Sequence, residues 1–113
     1  MVQVLGAITQ PFAVVNRAGR FLLCNSSFEQ LAGYSSPELA TISPASLFAT
    51  ENPAADQAEM FQVFESGGTR SGVTRWRSRS GQEIPVEVRC TRLELPDGEP
   101  VLLVLAANLS ERQ

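Results

Sequence analysis

The chain has 113 residues, and it carries nine arginines, no lysine, no histidine and a net charge of −3 without a clustered basic face. This length predicts a single domain with one modest core, and the charge pattern argues against a nucleic-acid partner. Because imidazole and lysine amines are missing, a histidine general base, histidine ligation of zinc or haem, and lysine Schiff-base chemistry are excluded for this domain.

Nothing in the sequence indicates a membrane segment. No apolar run approaches the ~20 residues of a membrane span, and MVQVLGAIT lacks the basic and long apolar regions of a signal peptide. We therefore expect a cytoplasmic domain without direct membrane insertion. The sequence leaves open whether the parent protein is attached to a membrane. Cys24 and Cys90 lie far apart in apolar strand contexts, which favours two buried, unpaired thiols in a reducing compartment.

The predicted elements begin with a short flanking helix over 2–9. Strands over 12–16 and 20–24 then form a hairpin, because Gly19 supplies the turn between them.

A dense run of helix signals follows in NSSFEQLAGYSSPEL, residues 25–39. Ser26 and Glu29 match a capping box, in which a hydroxyl and a carboxylate satisfy the first backbone amides of a helix. Gly33 is suited to end that helix, and Ser35 or Ser36 caps the next one. Two further helices are predicted over 43–48 and 52–66, since each starts at a polar residue followed by proline and two glycines follow the second.

Three strands close the chain, over 72–79, 82–94 and 100–107. Apolar residues alternate with polar ones along 82–94, which is typical of a strand with one buried face. An Asp-Gly pair at 97–98 predicts a hairpin into the third strand, which is apolar on both faces and is therefore expected to be central and covered on both sides. The order predicts an α+β fold, a five-stranded antiparallel sheet with short helices on one face.

The single tryptophan, Trp76, lies within the predicted strand 72–79. It is suited to stack on a planar ligand or to sit in a dimer interface. The arginines that alternate with it favour a third interpretation, in which it covers the outer face of the sheet. Those arginines are expected to pair across strands with the glutamates of 82–94, with little energy in each pair.

Several linked motifs resemble the PAS domain family over about residues 9–112. FEQLAGYSSPEL is similar to the family's "F..LtGYs..EL" block, RSRSGQEIPVEV to its "R.kdG...pv.v" hairpin, and NLSERQ to its "DITERK" exit. Asn25 stands where the family has an asparagine ending its second strand. The resemblance implies the profilin-like PAS fold, with a flanking helix over 1–9, a core over 10–108 and the start of an output linker over 109–113.

The resemblance further implies a sensory or partner-binding role within a larger signalling protein, commonly a bacterial histidine kinase or a cyclic-dinucleotide enzyme. The implied partners are a second copy in a homodimer and an effector domain in the same polypeptide, beginning just after Arg112. The sequence departs from the family at Asn108, where an aspartate is usual, which puts an ion pair there in doubt. Ser80 also replaces the usual aspartate before the hairpin glycine.

The family also implies a small apolar pocket between the sheet and the helices. Photosensor members carry a reactive cysteine where this chain has PASLFAT, residues 44–50, so a thiol–flavin adduct is disfavoured. The sequence leaves open two kinds of ligand, a flavin held without a covalent bond and a small apolar molecule. The candidate pocket residues are Phe28, Leu31, Tyr34, Leu47, Phe48, Phe61, Phe64, Val88, Cys90 and Leu103. Plain core packing is the alternative for each of them.

Four further residues are assigned structural or signalling roles: Asn25, Gly33, Gly81 and Asn108. Asn25 is expected to bond nearby backbone and order the turn from strand to helix. For Tyr34, a role in anchoring its loop competes with a hydroxyl offered to a ligand.

Three functional hypotheses follow. The leading one is a non-catalytic sensory module, in which a ligand biases two arrangements of the sheet. The second is a dimerisation or docking module with a filled core, which would use residues 2–8 and the apolar strand 100–107. An enzyme is the least favoured, since no serine has a histidine or lysine to activate it.

Overall fold

The computed structural model describes residues 10–111, so the predicted helix over 2–9 lies outside the described residues. A single antiparallel sheet of five strands organises this part of the chain, in the order β2-β1-β5-β4-β3. The strands are β1 (Phe12–Asn16), β2 (Phe21–Cys24), β3 (Thr69–Arg77), β4 (Glu83–Glu94) and β5 (Pro100–Asn108). The predicted five-stranded sheet, with the last strand at its centre, is confirmed.

The segment between β2 and β3 forms short helices. They are α1 (Ser26–Ala32), α2 (Ser36–Leu39), a 3₁₀ helix (Pro44–Leu47), α3 (Pro53–Phe61) and α4 (Val63–Ser66), and a second 3₁₀ helix (Leu109–Glu111) follows β5. The prediction of one helix over 52–66 is wrong. The amide of Gln62 donates to the carbonyl of Glu59 (3.2 Å), only three residues earlier, and this tightening interrupts the helix. It also lets two consecutive residues, Val63 and Phe64, both be buried.

The cap of α1 differs from the predicted capping box. Asn25, rather than Ser26, is the N-cap, and its side-chain oxygen accepts from the amide of Phe28 (2.9 Å). Glu29 takes no part in this cap. Its carboxylate instead accepts a hydrogen bond from the amide of Ser36 (2.6 Å). A residue predicted to cap its own helix therefore ties α1 to α2.

The boundary between α1 and α2 is fixed by glycine and serine, as predicted. Gly33 ends α1 with φ of 79°, in the left-handed region. Ser35 caps α2 in a reciprocal capping box with Glu38. The Glu38 carboxylate also forms an ion pair with Arg79 (2.6 Å) from the segment after β3, which joins the helices to the β3–β4 hairpin.

The core lies between the helices and one face of the sheet. Alternation along the central strand β5 directs Leu102, Val104 and Ala106 into this core. Leu103 points to the opposite face, where it is half-buried beside Val14 and Thr91 of the neighbouring strands. Within residues 10–111, no helix is long and apolar enough to cross a membrane.

Candidate ligand site between the helices and the edge strand

An aromatic cluster occupies the middle of the core. Trp76 is only 4% exposed, and its ring meets Phe28 edge to face with centroids 5.5 Å apart. Phe28 in turn contacts Phe21, with centroids 5.8 Å apart. The prediction that Trp76 covers the outer face of the sheet is wrong. Side chains alternate along β3, so the exposed arginines take one face and Trp76, paired with Ile84 of β4, takes the other.

The indole nitrogen of Trp76 has no hydrogen-bond partner, the one buried side-chain polar atom among the described residues in this condition. A buried tryptophan N–H usually finds an acceptor. Leaving such a donor unpaired costs about 1–3 kcal/mol. The core therefore keeps a polar group that its own side chains do not satisfy.

A very small space, which we call the core cavity, lies within the aromatic cluster. Its volume is about 10 Å³, roughly that of one water-sized probe. Eight side chains line it: Phe21, Phe28, Pro44, Leu47, Phe48, Met60, Trp76 and Val104. In this arrangement the large side chains fill the core.

A larger opening, which we call the edge cleft, lies between α3 and the edge strand β3. Its volume is about 210 Å³. It is lined by Phe48, Asp56, Glu59, Met60, Arg70, Ser71, Gly72, Val73, Thr74, Val88 and Cys90. Phe48 and Met60 line both spaces and therefore stand between them. A Cβ built on Gly72 would meet no atom within 4 Å, so the missing side chain leaves room in the cleft.

The loop that carries Phe48 is tied to the edge strand. Phe48 forms an isolated antiparallel bridge with Trp76, and the amide of Ala49 donates to the carbonyl of Arg75 (2.8 Å). The wall between the two spaces is therefore attached through its backbone to the strand that carries the indole.

Charged groups at the rim of the edge cleft are already partnered. Arg70 forms an ion pair with Glu59 (2.8 Å), and the hydroxyl of Thr50 donates to the carboxylate of Asp56. The lining is mixed, since Phe48, Met60 and Val88 lie beside polar side chains such as Ser71 and Thr74. The cleft thus offers apolar contacts to the body of an organic molecule and no unpartnered charge to a free ion.

Both cysteines are unpaired thiols, as predicted. Burial raises the pKa of Cys90 to about 11, although the nearby Arg70 acts in the opposite direction. Its thiol is therefore protonated and weakly nucleophilic at neutral pH. Cys24 is only half-buried rather than buried, and its sulfur lies 3.2 Å from the Ser36 hydroxyl. Burial is also the main cause that raises the pKa of Cys24.

A family model described as the PAS fold matches residues 1–108. The chain belongs to the PAS family. Among residues 10–111, no group of three or more acidic, cysteine or histidine side chains is arranged to hold a metal ion.

Solved PAS domains share this architecture at low sequence identity. One from Colwellia psychrerythraea is 18% identical, with a TM-score of 0.83 and coverage of 98% of each chain. One from Desulfitobacterium hafniense is 21% identical, with a TM-score of 0.79, covering 95% of this chain and 99% of that one. A PAS domain from a two-component sensor histidine kinase is 19% identical, with a TM-score of 0.77, covering 94% and 90%. No curated protein sequence matches the chain.

The predicted pocket residues separate into groups in this PAS domain. Phe28 and Leu47 line the core cavity, Val88 and Cys90 line the edge cleft, and Phe48 lines both. These five residues line two neighbouring spaces that share Phe48.

The remaining predicted pocket residues lie elsewhere. Phe61 and Phe64 pack edge to face with centroids 5.4 Å apart, and the Arg17 guanidinium lies 5.0 Å from the Phe64 centroid. Tyr34 is half-buried at the margin of the core. Leu103 is wrongly assigned to the pocket, because the register of β5 directs it to the far face of the sheet.

Leu31 lines a third space, which we call the exit groove, of about 600 Å³. The groove lies beside the end of β5 and is lined by Pro11, Ser27, Gln30, Leu31, Gln82, Ile84, Asn108 and Ser110. Asn108 accepts a hydrogen bond from the amide of Ser110 (2.9 Å) and so starts the 3₁₀ helix after β5. Gly81, with φ of 97°, forms the turn of the β3–β4 hairpin.

Asn25 joins three segments through its side chain. Its oxygen accepts from the amides of Phe12 (3.1 Å) and Phe28 (2.9 Å), and its nitrogen donates to the carbonyl of Gln10 (2.9 Å). The expected role of Asn25 in ordering the strand-to-helix turn is thus visible as a set of hydrogen bonds. It also fixes the start of β1.

Sequence reasoning missed Gly72, Met60 and Phe21 as residues of the site. The alternation along β3 is the signal for Trp76, because it places the indole on the face opposite to the flanking arginines. No local signal marks Gly72, because its role depends on its distance from α3.

Proposed function

We propose that this PAS domain is a non-catalytic sensory module that binds a small, largely apolar molecule and relays a conformational change to an effector domain in the same polypeptide. The observation that carries the proposal is the edge cleft, which shares Phe48 and Met60 with the lining of the core cavity. Membership of the PAS family, whose domains are in general non-catalytic sensory modules, supports the same conclusion.

The size of the cleft limits the ligand. Drug-sized ligands occupy pockets of about 300–1,000 Å³, whereas an apolar cavity of about 150 Å³ holds one benzene. At about 210 Å³, the cleft favours a ring-sized compound over a flavin or a haem. Because the Cys90 thiol is protonated at neutral pH, we expect the ligand to be held without a covalent bond.

The route of the relay follows α1. This helix carries Phe28 against Trp76 at one side and Leu31 into the exit groove at the other. A guest that displaces the aromatic cluster would move α1 relative to Asn108, where β5 ends. The effector is expected to follow Arg112, and the protein is expected to be bacterial and cytoplasmic.

A variant that fills the cleft tests ligand binding. Gly72→Leu should retain the fold, because its Cβ meets open space, and should abolish binding by occupying the cleft. Thr69→Leu is the matched control, since it adds the same side chain to the exposed opposite face of β3. Binding of a panel of ring-sized compounds would be measured as changes in the backbone amide shifts of ¹H–¹⁵N spectra. Absence of binding to the wild type at millimolar concentration, or equal binding to Gly72→Leu, would contradict the proposal.

A second function is favoured by a different observation. The core cavity holds only about 10 Å³, and large apolar side chains are exposed on the sheet, with Leu23 at 53%, Leu93 at 44% and Val73 at 68%. These features suit a homodimerisation or docking module with a filled core. Sedimentation velocity on residues 1–113 distinguishes the two. A dimer that dissociates in Leu23→Glu supports the second function, and a monomer at high micromolar concentration contradicts it.

A further inference from the structure

The two edge strands of the sheet differ in their protection against further pairing. Natural edge strands are blunted by short length, bulges, proline or charge. β2 has four residues, and a register shift interrupts its pairing with β1. β3 has nine residues in continuous register with β4. Its segment 71–74, which we call the open edge, has the sequence SGVT without charge or proline, so it can accept another strand.

The open edge presents unpaired backbone groups. The amide of Ala49 donates to the carbonyl of Arg75 (2.8 Å), so the backbone groups of Arg75 face away from β4. Alternate residues of an antiparallel strand direct their backbone groups to the same side. Those of Ser71 and Val73 therefore face outward as well, and within residues 10–111 they have no backbone partner on that side.

The protein itself pairs with the neighbouring part of this edge. Phe48 forms an antiparallel bridge with Trp76, and Ala49 bonds to Arg75, so the loop before α3 extends the sheet by one bridge. The chain then leaves the edge and enters α3. A segment added along the open edge therefore continues a pairing that already exists.

The edge cleft offers a place for one side chain of an added segment. Paired residues of neighbouring strands direct their side chains to the same face, so a residue opposite Gly72 lies over the cleft that Gly72 lines. A Cβ built on Gly72 meets no atom within 4 Å. The cleft holds about 210 Å³, whereas an apolar cavity of about 150 Å³ holds one benzene. One aromatic or large aliphatic side chain therefore fits.

The charges that flank the open edge are already paired. Arg70 forms an ion pair with Glu59 (2.8 Å), and Arg75 lies 3.8 Å from Glu83. Charged residues in an added segment would compete with these pairs, whereas uncharged residues of high β-propensity such as threonine leave them in place. The edge is thus suited to an uncharged extended segment with one large apolar side chain.

We infer that the open edge docks such a peptide segment of another protein, which adds antiparallel to Ser71 and Val73 and inserts its apolar side chain into the edge cleft. Main-chain hydrogen bonds supply affinity in this mode of recognition, and the side-chain pocket supplies specificity. A second copy of the chain fits less well, because two-fold pairing of the open edges would bring it against Arg75, where Ala49 already bonds. The inference goes beyond the binding of a free small molecule, although both would use the same cleft.

The probe is the capped peptide acetyl-TFTTG-amide, with its phenylalanine opposite Gly72. At millimolar peptide, the amides of Ser71 and Val73 should move downfield in ¹H–¹⁵N spectra and exchange more slowly with solvent. In the free protein both amides should exchange rapidly. Protection of both amides in the free protein would overturn the inference, since the edge would already be covered.

Methylation of single peptide amides tests the pattern of hydrogen bonds. In the antiparallel register, the amide of the threonine after phenylalanine donates to Ser71, whereas the amide of phenylalanine points away from β3. Methylating the threonine amide should weaken binding about tenfold, and methylating the phenylalanine amide should change it less than about twofold. Equal effects, or the reverse order, would overturn the inference.

Variants of β3 separate the inference from the proposed small-molecule function. Val73→Pro removes an outward N–H, where edge strands accept proline; it should lose the peptide and keep ring-sized compounds. Val73→Thr, which keeps the N–H and a β-branched side chain, is the matched control and should bind both. If Val73→Pro does not fold, the methylated peptides decide the question. A wild type that binds the compounds without the peptide overturns this inference alone, and the converse overturns small-molecule binding alone.

Discussion

Replacing Asn25 should destabilise the domain more than the loss of an ordinary helix cap. Loss of the cap to Phe28 costs about 1 kcal/mol. The bonds to Phe12 and Gln10 add about 0.5–1.5 kcal/mol each. Asn25→Ala should therefore lower the free energy of unfolding by about 3 kcal/mol. With an unfolding entropy of about 2.1 cal/mol/K per residue, this lowers Tm by about 13 °C.

The matched control is Asn52→Ala. Asn52 caps α3, but its side chain accepts only from the amide of Ala55 (3.2 Å). Its loss should cost about 1 kcal/mol, and thermal denaturation followed by circular dichroism compares the two variants. Equal shifts in Tm would refute the reasoning, because they would reduce Asn25 to a cap like any other.

Asn25→Asp tests the side-chain donor of Asn25 separately, because it removes the N–H donor and keeps the oxygen acceptor. The carboxylate keeps the two accepted bonds but places an oxygen against the Gln10 carbonyl, so the variant should be less stable than the wild type at neutral pH. A protonated carboxyl regains an O–H donor. The deficit relative to the wild type should shrink as the pH falls, and a constant deficit would contradict this account.

Three further changes test other parts of the fold. Gly33→Ala should lower the free energy of unfolding by about 2–3 kcal/mol in chemical denaturation, because φ is +79° and the new carbon would lie 3.1 Å from the Arg79 backbone nitrogen. Its control is Gly98→Ala, where φ is +88° but the new carbon meets open space, and the loss should be about 1 kcal/mol. Hydrogen bonding to the Ser35 backbone lowers the pKa of Glu38, with Arg79 contributing. The stability that Glu38 contributes is thus present above its unfolded pKa of about 4.3 and lost as pH falls through the lowered value, so Glu38→Gln should flatten the acid limb of the stability–pH curve. Burial raises the pKa of Cys90 to about 11. Its contribution is present below the ordinary thiol pKa of 9.0 and is lost as pH rises towards the folded value. Cys90→Ala should therefore lose about 2 kcal/mol less than the wild type by pH 11 in urea titrations, and identical alkaline limbs would contradict this.

The sheet was largely predictable because its signals are local. Alternation along β4 and the Asp-Gly turn before β5 define two strands and their connection without knowledge of the rest of the fold. The start of β3 was not predictable in this way. Residues 69–71 are polar, and they belong to the strand because they pair with β4, where the hydroxyls of Thr69 and Thr91 lie 3.0 Å apart.

The site was only partly predictable, since it depends on which face each side chain takes. In β5 both faces are apolar, so the sequence of the strand alone does not reveal that Leu103 points away from the helices. Its orientation follows from its register with Val14 and Thr91. The edge cleft likewise depends on the spacing between α3 and Gly72, which is a tertiary property with no counterpart in a local pattern.

The backbone bridge between Phe48 and Trp76 has a kinetic consequence. A molecule that reaches the core by moving the backbone of Phe48 breaks the Ala49–Arg75 hydrogen bond at the margin of the sheet. Association should then proceed in two steps, and the observed rate should reach a plateau at high ligand concentration instead of rising linearly. That plateau would equal the opening rate of the loop, and hydrogen exchange at the Ala49 amide would report the same motion in the free domain.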